Sequence, residues 1–318
     1  MTAFHPVGEP YAEGLLDVGD GQRIHWEESG NPAGRPAVVV HGGPGSGLSA
    51  GSRTYFDPER YRLVLFSQRN CGRSEPHAAD PATSLAHNTT PHLIADLERL
   101  REHLGIDRWL MYGGSWGSTL ILAYAQAHPA RVSGIVLNAV TTTRPEEIDW
   151  LYRGVGRLLP EAWAAFRDAL PPGDRDGDLL AAYDRQLNSP DPDVRRAATL
   201  AWVTWEDAVI AHETQGSPGA YSNRPSEATT AFVRIAAHYF SRGAFLEPGR
   251  LLRDAHRLTG IPGALIHGAL DLDSPQDTAR LLAEGWPDAE LTVIQDAGHT
   301  GSAATREAVL AAVTRFAH

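Results

Sequence analysis

The sequence of 318 residues contains no lysine and only one cysteine. All 28 of its basic residues are arginines, so no side-chain amine is present to act as a base or to form a Schiff base. The single cysteine, Cys71, cannot form an internal disulfide or a multi-cysteine metal site. Lysine-based chemistry, internal disulfides and multi-cysteine metal sites are therefore excluded.

Long hydrophobic runs are also missing. No window approaches the roughly 18 uncharged apolar residues of a membrane span, and the N-terminal segment has no basic stretch followed by an apolar one. The formal net charge of −11 disfavours nucleic acid and anionic membranes as partners, while a cationic ligand group would be tolerated. We therefore expect a cytoplasmic protein that binds neither nucleic acid nor membrane.

Along the chain, apolar residues form strand patterns and amphipathic helical patterns in turn. Residues 15–28 predict a β-hairpin with its turn at Asp20-Gly21. Amphipathic helical patterns follow at 93–104 and 118–128. Between such segments lie short, continuously apolar runs that are typical of strands buried on both faces of a parallel sheet, at 37–40, 63–66, 109–112, 135–137, 264–266 and 291–294. This alternation predicts an α/β fold with a mostly parallel sheet flanked by helices.

The alternation stops between about residues 143 and 246, where five helical segments follow one another. An insertion of this kind is typical of a cap over the carboxyl ends of the strands, where open parallel sheets bind ligands. We predict a core formed by residues 1–142 and 247–318, with residues 143–246 as a helical cap that shapes the substrate pocket.

The segment Gly113-Gly114-Ser115-Trp116-Gly117 lies where a predicted strand meets a predicted helix. This is the setting of a nucleophile elbow, in which a sharp turn exposes a serine hydroxyl. The segment from Gly47 to Gly51 has the same Gly-x-Ser-x-Gly spacing, but no strand directly precedes it and no apolar helix follows. We interpret Ser49 as a loop serine and Ser115 as the candidate nucleophile.

A serine hydroxyl needs a base, and the base needs an orienting acid. In folds with this elbow, the acid and the histidine follow the serine along the chain, in loops after later strands. Asp271 and His299 occupy such positions. Asp273 is an alternative acid; we favour Asp271 because it is nearer the strand end, and then expect Asp273 to cap a helix.

A glycine-rich loop, His41-Gly42-Gly43-Pro44-Gly45, directly follows the first predicted parallel strand. A backbone N–H of this loop, assigned to Gly43, and the N–H of Trp116 would together form an oxyanion hole. An ordinary tight loop is the alternative. The chain has three loops with candidate catalytic groups, each after a predicted strand and in the expected order. Together they favour the catalytic interpretation.

In its glycine-rich loop, its elbow and several further motifs, the chain resembles the proline iminopeptidase family of α/β-hydrolases. The resemblance implies a serine hydrolase without metal or cofactor that removes one N-terminal residue, with Ser115, Asp271 and His299 as its triad. It also implies that the cap recognises the free α-amino group of a peptide or small-molecule substrate. The motifs that carry the resemblance are the glycine-rich loop, the elbow, Gln68-Arg69, Cys71-Gly72-Arg73-Ser74, Asn88-Thr89-Thr90, Trp205-Glu206 and His238-Tyr239-Phe240.

The chain departs from the family pattern at the substrate pocket. Of the two cap glutamates that usually hold the ammonium, Glu206 is present, whereas the second position is Ala236. An aromatic residue that usually lines the proline pocket is replaced by Thr141, although Tyr152 and Phe240 are retained. Further departures are Ala237, which replaces a polar residue, and Ser67-Gln68-Arg69-Asn70, which replaces Asp-Gln-Arg-Gly.

Losing one anionic partner should weaken ammonium binding by about 1 to 3 kcal/mol. We therefore predict a specificity shifted from proline, such as removal of an alanyl group from a polyketide amide in secondary metabolism. Ordinary prolyl aminopeptidase activity is the first alternative. Esterase or thioesterase activity is a further one, because the same apparatus attacks other acyl groups, and a non-catalytic receptor is the opposing class.

Overall fold

The computed structural model describes residues 4–214, 216, 218–223 and 226–317; the other residues lie outside the description. The described strands form one eight-stranded sheet in the order β1-β2-β4-β3-β5-β6-β7-β8. They are β1 (Ala12–Gly19), β2 (Gln22–Gly30), β3 (Arg35–Val40), β4 (Tyr61–Phe66), β5 (Trp109–Ser115), β6 (Val132–Val140), β7 (Gly263–Gly268) and β8 (Ala289–Ile294).

Strands β1 and β2 form the predicted antiparallel hairpin, and β2 pairs antiparallel with β4. Positive φ angles of 57° at Asp20 and 71° at Gly21 make the tight turn between β1 and β2. From β4 to β8 all neighbouring strands are parallel. Each predicted apolar run falls within one of β3 to β8, so the predicted α/β fold is confirmed.

The helices divide between the core and the insertion. Apolar side chains of α1 (Thr90–His103), α2 (Trp116–Ala127) and α9 (Gln276–Gly285), among them Leu97, Ile121 and Leu282, pack on one face of the sheet. Helix α10 (Ala303–Arg315) packs on the other face through Val309 and Val313. No helix in the described ranges is both long and apolar enough to cross a membrane. The α-helices are α1 (Thr90–His103), α2 (Trp116–Ala127), α3 (Pro145–Tyr152), α4 (Pro160–Asp168), α5 (Leu179–Leu187), α6 (Pro192–Thr214), α7 (Ser226–Phe240), α8 (Arg250–Arg253), α9 (Gln276–Gly285) and α10 (Ala303–Arg315).

Helices α3 to α7 lie between β6 and β7 in the chain and have an apolar cluster of their own. At its centre the rings of Phe166 and Tyr183 stack with centroids 4.4 Å apart, against Trp202. The helical segments match those predicted, while the division of the chain at residues 143 and 246 stays a prediction.

Buried Arg234 of α7 fixes these cap helices to the core. Its guanidinium donates to the backbone carbonyls of Ala78, Asp80 and Thr83 at 3.0, 2.8 and 2.7 Å. A charged group that satisfies three carbonyls at once holds two segments in a single relative position. The cap therefore has a defined place over the core.

Candidate active site

Ser115 lies at the junction of β5 and α2 with φ 54° and ψ −131°. A positive φ is unfavourable for a residue with a Cβ, and strain of this kind clusters at functional sites. The neighbouring glycines make the turn possible: a Cβ on Gly113 would lie 2.6 Å from the carbonyl oxygen of Val40, and a Cβ on Gly117 would strike the same oxygen. The strand-turn-helix geometry predicted for this motif is present.

Ser115 occupies the N-cap position of α2, but its side chain does not cap the helix. The elbow is held instead by Ser118, whose hydroxyl donates to the Ser115 carbonyl at 2.6 Å and accepts from the Thr141 N–H at 2.9 Å. Ser115 and Trp116 both line a cavity between core and cap. The positive end of the α2 dipole therefore lies at this cavity.

Asp271 and His299 follow the ends of β7 and β8 and lie together. Both carboxylate oxygens of Asp271 are 3.1 Å from Nδ1 of His299. Asp271 Oδ1 also accepts from the N–H of Ser274 at 2.7 Å, which orients the carboxylate. His299 lines the same cavity as Ser115. An acid on Nδ1 is the arrangement in which Nε2 can serve a serine hydroxyl.

Asp273 does not cap a helix, and that expectation was wrong. Helix α9 begins after Pro275, with no side-chain cap. The carboxylate of Asp273 instead lies 3.1 Å from Nε2 of His299 and borders the cavity. The short Asp271-to-Asp273 segment thus places one carboxylate on each nitrogen of the imidazole. Because Asp271 is the one at Nδ1, the geometry favours it as the orienting acid.

The carboxylates dominate the electrostatics of His299. Burial on its own lowers the pKa of the imidazole, but Asp271, Asp273 and Glu213 favour its charged form and together raise the pKa to about 10. Burial raises the pKa of Asp273, against the opposing effect of His299. The free site therefore favours an imidazolium between two carboxylates.

His267 fixes the loop that carries Asp271. Its Nδ1 accepts from the Val140 N–H at 3.0 Å, and its Nε2–H donates to the Ser274 carbonyl at 2.8 Å. Burial lowers the pKa of His267. As a neutral imidazole it joins the end of β6 to the acid loop and sets the position of Asp271.

Glu213, near the end of cap helix α6, joins the loops that carry Asp271 and His299 and was not predicted from the sequence. Its Oε1 accepts from the N–H groups of Leu272 and Asp273 at 2.6 and 3.2 Å, and its Oε2 accepts from the N–H of His299 at 2.7 Å. Burial and the charge of Asp271 raise the pKa of Glu213 to about 7, although His299 opposes this shift. No sequence motif identified this residue, because its role depends on how the cap docks.

Glu213→Gln should lower kcat about tenfold to a hundredfold, because an amide cannot accept hydrogen bonds at both ends and one loop must lose about 1.5 to 3 kcal/mol of charge-assisted bonding. The measurement is kcat on an aminoacyl p-nitroanilide beside the melting temperature. Glu161→Gln, at an exposed glutamate of α4, is the matched control. An unchanged kcat would show that Glu213 does not position the loops.

The glycine-rich loop is attached to the elbow through Gln68. The Gln68 amide donates to the His41 carbonyl at 2.8 Å, and its Oε1 accepts from the indole N–H of Trp116 at 2.9 Å. Gly43 has φ 117°, which glycine adopts freely, and it lines the cavity with Trp116. The two predicted oxyanion donors therefore border one space, and their role stays a prediction.

Residues from three of the remaining family motifs, Arg69, Asn88 and Tyr239, form a buried network behind the elbow. Arg69, 1% exposed, makes a two-pronged ion pair with Asp96 at 2.6 and 2.8 Å. Asn88 donates to the Arg69 carbonyl at 3.0 Å and accepts from the Tyr239 hydroxyl at 2.7 Å. The Tyr239 ring meets Trp116 edge-on with centroids 4.7 Å apart. These residues tie cap helix α7 to the nucleophile turn.

Ser49, the serine of the second matching motif, has an ordinary extended backbone with φ −122° and ψ 120°. It directly precedes a short 3-10 helix and has no elbow geometry. Its position nevertheless borders the cavity, which the sequence did not predict. The strained backbone of Ser115 thus distinguishes it from Ser49, whereas a position at the cavity does not, because both serines have one.

The cavity has a volume of about 410 Å³ and includes Glu206 from cap helix α6. The Glu206 carboxylate is buried, and its Oε1 accepts from the Tyr152 hydroxyl and from the Trp202 indole, both at 2.7 Å. Tyr152 and Phe240 line the cavity as well. Three of the five predicted substrate-pocket residues, Glu206, Tyr152 and Phe240, therefore line one cavity.

The other two predicted pocket residues differ in their placement. Thr141 lines the cavity, and its hydroxyl donates to Oε1 of Glu147 at 3.1 Å. Ala236 is fully buried in the apolar cluster of the cap and is not among the described residues that line the cavity. Phe232 and Phe240, one helical turn to either side, do line it. A longer side chain at 236 would therefore point to the same face.

Two groups of side chains in the described residues have spacing suited to a metal ion, and neither includes a residue that lines the cavity. One is Asp20, His87 and His92; the other surrounds His25 with two glutamates. In the second group an arginine, Arg73, already lies 2.7 Å from Glu13. Hydroxyl, imidazole and carboxylate groups line the cavity itself.

Known proteins are similar to this chain in fold and in sequence. The model of the alpha/beta hydrolase fold matches residues 36–302. A probable proline iminopeptidase of Streptomyces coelicolor is 48% identical over 99% of this chain and 98% of its own length. A proline iminopeptidase of Xylella fastidiosa is 44% identical over 94% of each chain. An alpha/beta fold family hydrolase of Bacillus anthracis, 17% identical, superposes with a TM-score of 0.59 over 97% of this chain and 99% of its own.

The structural likeness to the Bacillus anthracis protein supports the fold, and the two sequence relatives identify the family. Their similarity covers the elbow, the cap and both later catalytic loops, since it spans nearly the whole chain. The chain therefore belongs to the proline iminopeptidase family of α/β-hydrolases, a family of serine aminopeptidases.

Proposed function

We propose that this chain removes an N-terminal aminoacyl group from an amide through an acyl-enzyme, with a specificity shifted from proline. One observation carries the proposal: a single buried cavity contains the strained Ser115, the His299 imidazole backed by Asp271, and the Glu206 carboxylate. The proline iminopeptidase relatives support the same class of reaction.

The reaction begins when Ser115 Oγ attacks the carbonyl carbon and His299 Nε2 takes its proton. The N–H groups of Gly43 and Trp116 stabilise the oxyanion of the tetrahedral intermediate. The C–N bond then breaks as His299 returns the proton to the leaving amine. Water, deprotonated by His299, finally cleaves the ester, which releases the amino acid and restores the serine. Asp271 orients the imidazole throughout and stabilises its charged form.

Glu206 binds the α-ammonium of the substrate. The hydroxyl of Tyr152 and the indole of Trp202 hold its carboxylate in one orientation, so little order is lost when a cation binds. The ammonium of a free N-terminus can pair with this carboxylate inside the cavity through charge-assisted hydrogen bonds. Dependence of turnover on that pairing makes the enzyme an aminopeptidase rather than a general amidase.

Two positions support the shift from proline. Thr141 borders the cavity where the family usually has an aromatic ring, and its hydroxyl is directed to Glu147. Ala236 offers no carboxylate. A small aminoacyl group on a large apolar amine fits these changes, and an alanylated polyketide amide is one such substrate. The named relatives are proline iminopeptidases and lend no support to the polyketide assignment.

The test compares kcat/KM for the p-nitroanilides of proline, alanine and glycine, N-acetylalanine p-nitroanilide and an alanyl amide of a long-chain amine. We expect the free alanyl substrates to be preferred over proline and over the acetylated compound. If proline p-nitroanilide is cleaved best, the enzyme is an ordinary prolyl aminopeptidase. If acetylation has no effect, the chain does not recognise the free amine.

Ala236→Glu should raise kcat/KM on proline p-nitroanilide about tenfold to a hundredfold, the range expected from one added charge-assisted hydrogen bond of about 1 to 3 kcal/mol. The substituted side chain would point to the face that carries Phe232 and Phe240. Ala236→Gln, which has the same shape without the charge, is the matched control. Equal gains from both variants would show that the charge is not what the pocket lacks.

Other readings make different predictions for the same apparatus. An esterase or thioesterase would cleave simple esters without regard to a free amine. A non-catalytic receptor would bind substrate amides and leave a fluorophosphonate probe unreacted. Both are excluded if the probe labels the chain and free-amine amides are the preferred substrates.

A further inference from the structure

A second carboxylate, that of Asp273, borders the cavity next to the catalytic imidazole. It lies 3.1 Å from His299 Nε2, and its side chain is 16% exposed. We infer that Asp273 binds the substrate α-ammonium together with Glu206, and that in the free enzyme it holds His299 until an ammonium takes its place. This inference rests on the proposed function and extends it to a mechanism of substrate selection.

Asp273 occupies the ring nitrogen of His299 that the Ser115 hydroxyl needs. The proton of Ser115 must go to Nε2, because Asp271 occupies Nδ1. Within the part of the chain that the structure describes, no hydrogen bond joins Ser115 Oγ to His299, whereas Asp273 lies within ion-pair distance. The imidazole must therefore leave Asp273 before it can serve as a base.

The charges around His299 determine how an ammonium at Asp273 changes the protonation of the imidazole. Asp271 and Asp273 face it from the loop after β7, Glu213 faces it from α6, and neutral His267 lies behind Asp271. Burial opposes charge on His299, but the three carboxylates raise its pKa to about 10. A protonated imidazole cannot accept the serine proton. An ammonium at Asp273 neutralises one of the carboxylates and so lowers the pKa of the imidazole, which favours its basic form.

Asp273 is also placed to share a ligand with Glu206. Asp273, Glu206 and Tyr152 all line the one cavity, and the Tyr152 hydroxyl donates to Glu206. Burial raises the pKa of the Tyr152 phenol, and the charges of Glu206 and Asp273 raise it further. An ammonium group has three N–H donors and is held best by several acceptors. Because position 236 carries no carboxylate, Asp273 supplies the second one from the core side of the cavity.

The experiment compares Asp273→Asn with the wild type on alanine p-nitroanilide and on p-nitrophenyl acetate, which has no ammonium. We expect kcat/KM on the anilide to fall about tenfold to a hundredfold, as one charged contact to the ammonium is lost. On the ester, kcat/KM at pH 7 should rise severalfold, and its acidic limb should move about one pH unit or more lower. The opposite signs separate ligand binding from a structural role.

Two further variants complete the test. Asp277→Asn removes one negative charge at an exposed site of α9 and should change neither substrate's rate. Asp273→Asn combined with Ala236→Glu should recover anilide hydrolysis. Equal losses on both substrates, or an unchanged anilide rate, would overturn the inference and leave the proposed function standing. A wild type that cleaves the ester but no free-amine amide would refute the proposed function, and the inference with it.

Discussion

Ser115→Ala should reduce turnover at least about 10⁴-fold, because the hydroxyl forms the covalent bond to the acyl group and the rest of the apparatus cannot replace it. The fold should be unaffected. The Ser115 side chain does not cap α2, and the elbow is held through its carbonyl by Ser118. Labelling by a fluorophosphonate should disappear in the variant while its melting temperature stays that of the wild type.

Ser49→Ala is the matched control for this experiment. Each serine is the central residue of a Gly-x-Ser-x-Gly segment, and both border the cavity. Only Ser115 has a positive φ and precedes an α-helix. The Ser49 variant should therefore keep full labelling. Loss of labelling in that variant would move the nucleophile to Ser49 and refute the assignment of the elbow.

The convergence of the loops that carry Ser115, Asp271 and His299 could be predicted from the sequence because of a general property of parallel sheets. The carboxyl ends of parallel strands lie at one edge, so residues that directly follow such strands come together. Ser115, Asp271 and His299 each follow a short apolar run that proved to be a strand. The apolar runs were identifiable because strands buried on both faces lack polar alternation.

The contacts that depend on the cap could not be predicted in the same way. Glu213 lies 58 residues before Asp271 in the chain and reaches the catalytic loops only because α6 ends beside them. Asp273 differs from Asp271 by two positions, and only the path of the loop decides which carboxylate meets which ring nitrogen. Neither arrangement follows from periodicity, since both arise from packing between segments that are distant in sequence.

The same limit applies to the empty carboxylate position at Ala236. A sequence pattern identified the substitution, but it did not show that the alanine is fully buried between two phenylalanines that line the cavity. The structure also places the carboxylate of Asp273 at the cavity, next to His299. The recognition of the substrate amine that we propose therefore involves both the cap and the loop that carries Asp271 and Asp273.

Glu206→Gln should lower kcat/KM on alanine p-nitroanilide about a hundredfold or more and leave p-nitrophenyl acetate hydrolysis nearly unchanged. The glutamine keeps an acceptor oxygen for Tyr152 and Trp202, so the shape of the cavity is retained while the charge that pairs with the ammonium is lost. Loss of one partner from a buried charge pair costs about 2 to 5 kcal/mol, far more than loss of an exposed pair.

The ester is the internal control for this variant, because it uses Ser115, His299 and the oxyanion donors but carries no ammonium. Steady-state kinetics on both substrates, with a fluorophosphonate titration of active sites, distinguishes lost binding from lost catalysis. Parallel losses on the two substrates would place Glu206 in the framework of the cap instead of in substrate recognition. A selective loss would establish a buried carboxylate of the cap as the group that makes this serine hydrolase require a free amine.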